Sequence, residues 1–419
     1  MKELLKTVIA DQLELIWKDS YITRQFPQML ETCNEIVVIS GIRRCGKSTL
    51  LQQIRNISVE SDYYLNFDDD RLIQFSIEHF SLLHELFIEL FGEQKTFYFD
   101  EIQNISGWER FVRRLYDYGY KVYITGSNAQ MLSRELGTHL TGRFLQYELY
   151  PFSFNEFLSH KKLEFSPLEL EATNNKALLN RTFNEYMASG GFPLYLQNKN
   201  DEYLKSLYHS IIYRDVLVRN KLTNEKEMLE LVYYLASNVS KLSSNNGLTK
   251  IIGVKNATTI KNYIGFLQDT YLLFQITKYD VSLKKQLVNP KKTYMIDNAL
   301  VTRLGFSFSP ESGRLLENLI FIELLRRNKE VYYHHKQVEC DFVIRQEKSI
   351  VEAIQVCYHF NEPEMKKREI NGLMEAMHTY NLSSGTIITT NEEGNMELEG
   401  KTIRIIKAWR WLMEVGGSG

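Results

Sequence analysis

The chain has 419 residues, a formal net charge of -2 and 44% hydrophobic residues, a size that suits about two to four domains with substantial cores. No long uncharged apolar run argues for a membrane span, and Met1-Lys-Glu-Leu-Leu-Lys6 lacks a secretory-signal pattern. Cys33, Cys45, Cys340 and Cys357 have neither disulfide nor metal spacing, which fits a reducing cytoplasm. The near-neutral charge leaves any nucleic-acid surface to a local patch.

In chain order, Leu4 to Ile16 reads as an amphipathic helix. Arg24, in the basic segment Tyr21 to Phe26, is expected at the surface rather than at a ligand. The apolar run Ile36-Val-Val-Ile39 then leads into Gly41-Ile42-Arg43-Arg44-Cys45-Gly46-Lys47-Ser48, and Thr49 to Ile54 begins a helix. The eight-residue stretch fits G-x-x-x-x-G-K-[ST] in the strand–loop–helix setting that gives the pattern meaning. Its glycines let successive N–H groups turn inward, and the following helix N-terminus adds positive potential for phosphates. Lys47 is placed to reach the β- and γ-phosphates of ATP, and the Ser48 hydroxyl to hold Mg²⁺.

Asp62 to Phe67 reads as the next strand. It runs into Asp68-Asp69-Asp70, which is either a helix start or an acidic patch near the metal. Thr96-Phe-Tyr-Phe-Asp100-Glu101 is a buried strand ending in two acids. Downstream of a phosphate loop, Asp100 suits the Mg²⁺ shell and Glu101 the polarisation of an attacking water. Trp108 to Tyr116 is a helix with Trp108, Phe111, Val112 and Leu115 available to pack on the sheet. Lys121 to Thr125 is a further strand, after which Ser127 or Asn128 is in position to sense the γ-phosphate; the sequence leaves that choice open. Arg134 and Arg143 follow, and Arg143 is favoured as an arginine finger reaching across a boundary between copies of a homo-oligomer.

Together these segments, with Ile124-Thr-Gly-Ser-Asn128, Leu140-Thr-Gly-Arg143 and Pro151-Phe-Ser-Phe-Asn-Glu-Phe157, resemble a family of bacterial and archaeal AAA-type ATP-binding proteins along essentially the whole chain. The resemblance implies an ASCE-type core, with Arg143 as the family's loop arginine and Pro151 to Phe154 as the usual end of that core.

Beyond the core, Ala188-Ser-Gly190-Gly191-Phe-Pro193 marks a bend between helices. The segments around Leu231 to Leu235, Leu248 to Ile252 and Thr258 to Leu267 read as three short helices. With the extended run Tyr271 to Ile276 they suggest a winged helix, whose third helix offers Lys255, Lys261 and Asn262 to DNA. Further on, Glu317 lies on a helix, Asp341 at the start of a strand, and Glu352 and Gln355 on the next strand. These are the residue types that gather Mg²⁺ for phosphodiester hydrolysis. They look like the restriction-endonuclease-type domain that ends many members of the family. The lysine expected two residues after the second acid is replaced by Ile354 or Cys357, depending on register, so a degenerate site is expected. His334 and His335 are adjacent on a strand and point apart, which disfavours a shared metal. Ala408 to Met413 reads as a closing helix packed through its tryptophans, and Gly416 to Gly419 as a tail outside the fold.

The expected fold class is α/β. The expected divisions are an N-terminal helical segment (1–20), a P-loop NTPase core (21–160), a helical lid (161–225), a winged-helix-like domain (226–290) and a mixed α/β restriction-endonuclease-like domain (291–415). The favoured function is Mg²⁺-dependent ATP hydrolysis driving a switch or motor on DNA or a DNA-associated partner. The alternatives are an ATP-regulated protein-interaction module in defence or signalling, and an ATP-gated nuclease.

Overall fold

A computed structural model describes residues 1–14, 22–127, 140–304 and 312–414. The chain divides into two compact units, 1–150 with 269–271 and 151–268 with 272–419. Among the described residues, no helix is long and apolar enough to cross a membrane.

The first unit is built on a five-stranded sheet, β1 (Ile36–Ser40), β2 (Tyr64–Asn66), β3 (Thr96–Asp100), β4 (Lys121–Gly126) and β5 (Phe144–Glu148), in the order β2-β3-β4-β1-β5. Every neighbouring pair is parallel. Both faces of such a sheet are covered, so its strands are near-continuous apolar runs rather than alternating ones. All five residues of β1 are buried. Phe97, Phe99, Val122 and Ile124 share one core with Trp108, Phe111, Val112 and Leu115 of the helix Trp108–Asp117. Leu5, Val8 and Ile9 of the helix Lys2–Glu14 enter the same core. Each large apolar side chain so buried contributes about 1.5–3 kcal/mol. The consequence for function is positional: parallel strands bring the ends of β1, β3 and β4 to one edge. The acid-bearing β3 is separated from the loop-bearing β1 by β4.

In the second unit, the helix Thr173–Ser189 ends at Gly190, and Pro193 opens the helix Pro193–Asn198. Gly190 has φ +64° and Gly191 donates its N–H to Asp297 Oδ2 at 2.7 Å, so the glycine pair makes the expected bend. The helices Glu225–Ser237, Asn245–Ile252 and Ala257–Asp269 follow. They accompany a three-stranded antiparallel sheet of β6 (Leu242–Ser243), β7 (Leu273–Thr277) and β8 (Lys291–Met295), in the order β6-β8-β7.

The remainder is a six-stranded mixed sheet of β9 (Glu330–His335), β10 (Glu339–Gln346), β11 (Ser349–Cys357), β12 (Ser384–Thr389), β13 (Gly394–Leu398) and β14 (Lys401–Lys407), ordered β13-β14-β12-β11-β10-β9. Strands β9 to β11 are antiparallel, whereas β11, β12 and β14 run parallel. The helix Pro363–Thr379 lays Leu373, Met374, Ala376 and Met377 against this sheet. The helix Ser312–Arg326 carries Glu317. Trp409 and Trp411 of the closing helix Ala408–Met413 are buried, as their spacing suggests.

Candidate functional site

The glycine loop links the end of β1 to the helix Lys47–Ile57. At Gly41, φ is +147° and a Cβ would lie 2.2 Å from the Leu149 carbonyl oxygen, so no side chain fits there. Lys47 is buried and donates to the carbonyl oxygens of Gly41 at 3.1 Å and Ile42 at 3.2 Å. Its ammonium also lies 3.7 Å from Glu101 Oε1. Arg24 departs from its expected place at the surface. It is buried, donating to the Cys45 carbonyl at 2.6 Å and the Tyr150 carbonyl at 2.7 Å. Backbone carbonyls of the loop and of Tyr150 supply acceptors that make burying a guanidinium tolerable. Burial also pushes the Cys45 thiol up, away from reactivity.

Asp100 and Glu101 close β3 on the same edge. Asp100 is fully buried and its carboxyl is pushed up to about 6, first by burial and then by Glu101, against lowering by Thr125 and Ser48. Thr125, at the end of β4, joins the two acids: its hydroxyl donates to Asp100 Oδ1 and accepts the Glu101 N–H at 2.9 Å. Glu101 sits at φ +52°, ψ +38°, a left-handed conformation uncommon for a non-glycine residue and enriched at functional sites. Its Oε2 accepts from the Gln103 amide and lies 3.5 Å from the Ser127 hydroxyl. Thr125 and Gln103 were not singled out in the sequence. The available signal was their place beside the acidic pair and the small-residue turn.

The residues fit a Mg²⁺ ion. Asp100 Oδ2 is buried without a hydrogen bond of ordinary geometry from the described residues, and the Ser48 hydroxyl acts on the same carboxylate. Asp69 is engaged elsewhere. It caps the short helix Asp70–Leu72 by accepting the Arg71 N–H and pairs with the Arg71 guanidinium, so the acidic run is a helix start. Asn128 and Arg134 lie outside the described residues. Arg143 precedes β5, whose Phe144 is level with Ile36 at the start of β1. It therefore stands at the opposite edge of the sheet from the chain's own loop, about 16 Å of strand away, with its Nε 3.5 Å from Asp117 Oδ1.

In the second unit, Lys255, Lys261 and Asn262 are exposed on and just before the helix Ala257–Asp269. Of the residues of the expected nuclease-type site, Glu317, Asp341 and Gln355 are brought together and Glu352 is not. Glu352 and Gln355 are three apart on β11, and positions an odd number apart face opposite sides of a strand, so both cannot serve one site. Gln355 accepts the Asp341 N–H at 3.1 Å and turns its amide to Glu369. Glu352 lies among the charges of Lys329, Arg327 and Arg404 instead. Lys292 of β8 meets Glu317 and Asp341, each at 2.9 Å. Lys292 was missed because its partners lie 25 and 49 residues away. His334 bonds Glu375 at 3.0 Å and Tyr380 at 2.8 Å. Among the described residues, no group of three or more His, Cys, Asp or Glu is arranged to hold a metal ion.

A family described as an AAA domain matches residues 33–158, and a domain of unknown function, DUF8612, matches residues 180–311. A Methanocaldococcus jannaschii protein named "Uncharacterized protein MJ1544" is 36% identical over 430 residues, covering 98% of this chain and 95% of that protein. A Haemophilus influenzae protein named "Uncharacterized protein" is 29% identical over 419 residues, covering 96% of this chain and 99% of its own length. The solved Aeropyrum pernix ORC1 protein in complex with DNA aligns over 68% of this chain and 94% of that one, at a TM-score of 0.29 and 10% identity, a likeness too slight to bear on function.

Proposed function

The chain belongs to the same family as MJ1544 and carries an AAA ATPase domain, and from that premise we propose that it hydrolyses ATP with Mg²⁺ to drive a conformational switch or motor acting on DNA or a DNA-associated partner. The observation that supports this best is the convergence of Lys47, Asp100, Glu101 and Ser127 on one edge of a parallel sheet. In this reading the backbone N–H groups from Gly41 to Thr49 and the Lys47 ammonium hold the phosphates. Ser48 and Asp100 hold Mg²⁺, which when bound neutralises charge on the β- and γ-phosphate oxygens. Glu101, oriented by Thr125 and Gln103, takes a proton from the attacking water, and Ser127 or Asn128 senses the γ-phosphate. Arg143, at the far edge of its own sheet, is suited to a neighbouring copy's site rather than its own.

We read the three helices and the β6-β8-β7 sheet as winged-helix-like, with Lys255, Lys261 and Asn262 toward DNA. The last sheet with its two helices reads as restriction-endonuclease-like without a working nuclease centre. ATP turnover of wild type and Glu101→Gln, with and without duplex DNA, tests the proposal alongside oligomer size. Turnover in wild type, its loss by about 10²-fold or more in Glu101→Gln and stimulation by DNA are expected. Full turnover in Glu101→Gln would refute the assignment, equal turnover without DNA would remove the nucleic-acid half, and an active monomer would remove the trans role of Arg143.

A further inference from the structure

The second unit contains a buried charge cluster that the ATPase reading does not use. Lys292 of β8 is 1% exposed. Its Nζ lies 2.9 Å from Glu317 Oε1, 2.9 Å from Asp341 Oδ1 and 2.7 Å from Glu339 Oε1. An ammonium has three N–H donors, and here it faces three carboxylates from two different elements, the helix Ser312–Arg326 and β10. Two further donors reach the same carboxylates. Glu317 Oε1 takes the Tyr294 hydroxyl at 2.7 Å, and Asp341 Oδ2 takes the Val356 N–H at 3.0 Å.

Three carboxylates converging on one point is how proteins bind Mg²⁺ or Mn²⁺, which need oxygen ligands at about 2.0–2.2 Å. That point is filled by nitrogen. A lysine that merely assisted a metal would stand beside the acids, leaving their facing oxygens to the ion. Lys292 bonds those facing oxygens itself.

We propose that Lys292 is a built-in cation that takes the place of a divalent metal between Glu317, Glu339 and Asp341, so that the wild-type cluster binds no metal and removal of the ammonium converts it into a site for an oxygen-preferring divalent ion. The same ammonium ties β8 of the three-stranded sheet to the helix and strand that bear the acids. This inference stands apart from the ATPase reading, since no residue of the first unit enters it.

The test is Mn²⁺ binding to the nucleotide-free full chain, followed by electron paramagnetic resonance and by thermal unfolding. Wild type, Asp341→Asn, Lys292→Ala, Lys292→Gln, and each Lys292 variant combined with Asp341→Asn are compared; the glutamine variant keeps a polar side chain if alanine does not fold. The expected result is no Mn²⁺ site in wild type that depends on Asp341. A folded Lys292 variant gains one Mn²⁺ per chain, its unfolding temperature rises saturably with Mn²⁺, and both effects vanish on adding Asp341→Asn. Two results would overturn the proposal: a wild-type Mn²⁺ site abolished by Asp341→Asn alone, which would mean that lysine and metal occupy the cluster together, or a folded Lys292 variant that gains no Mn²⁺.

Discussion

Replacing Thr125 with valine keeps the side chain's shape and removes one hydroxyl that serves both acids of the hydrolytic edge. In wild type that hydroxyl donates to Asp100 Oδ1 and accepts the Glu101 N–H at 2.9 Å. Valine leaves both groups without this partner, and Asp100 is fully buried. A buried polar group so stranded costs about 1–3 kcal/mol, so the stability loss from Asp100 alone should be of that size. Glu101 also loses the contact that fixes its left-handed backbone, and mispositioning of this kind costs about a hundredfold in turnover. A second signature separates function from mere destabilisation. The Thr125 hydrogen bond lowers the Asp100 pKa, which burial has pushed up to about 6; without it, ionised Asp100 appears only at higher pH, and the acid limb of ATP turnover should move upward. Urea unfolding with turnover–pH profiles of wild type, Thr125→Val and Thr125→Ser provides the assay. Serine keeps the hydroxyl and should recover most turnover and the wild-type acid limb. A valine variant with unchanged stability, turnover and pH profile would refute the bridging role.

Gly190→Ala should unfold at markedly lower urea, because its φ is +64° and the new Cβ would lie 1.7 Å from Asp297 Oδ1; an unchanged midpoint would show that the bend does not depend on this approach. Asp297 gives a pH prediction. Burial pushes its carboxyl up to about 7 from 3.8, against lowering by the Gly191 and Ala299 N–H groups. An acid whose folded pKa is raised binds its proton more tightly when folded, so its contribution is full below about pH 4 and is lost as pH rises toward 7. The difference in unfolding free energy between wild type and Asp297→Asn should therefore change across that window, and a flat difference would refute it. If the helix Ala257–Asp269 meets DNA, changing Lys255 and Lys261 to alanine should reduce the salt slope of binding by about 2; an unaltered slope would place the DNA elsewhere.

Much of the first unit was legible because its signals are local. The loop Gly41 to Ser48 lies between its strand and helix within a short stretch, and burial on both faces makes β1 and β3 continuous apolar runs that end where the chemistry begins. The three helices before β7 (Glu225–Ser237, Asn245–Ile252 and Ala257–Asp269) were likewise readable from apolar spacing. Arg24 was misplaced because charge alone suggests solvent, whereas its acceptors are carbonyls at Cys45 and Tyr150 that only the fold brings together. Glu352 was grouped with Glu317 and Asp341 because residue type was visible and strand facing was not.

The sequence by itself determined the phosphate loop, the acidic strand end and the mixed α/β character of the later sheets, since each follows from side-chain period and backbone chemistry over a few residues. Tertiary structure alone decided that β4 separates the loop strand from the acidic strand, that Thr125 joins Asp100 to Glu101, and that Arg143 stands at the far edge of its own sheet. It also decided that Lys292 fills the acidic cluster. Those outcomes depend on strand order and register between segments tens of residues apart, where the partner is chosen by packing rather than by neighbours in the chain.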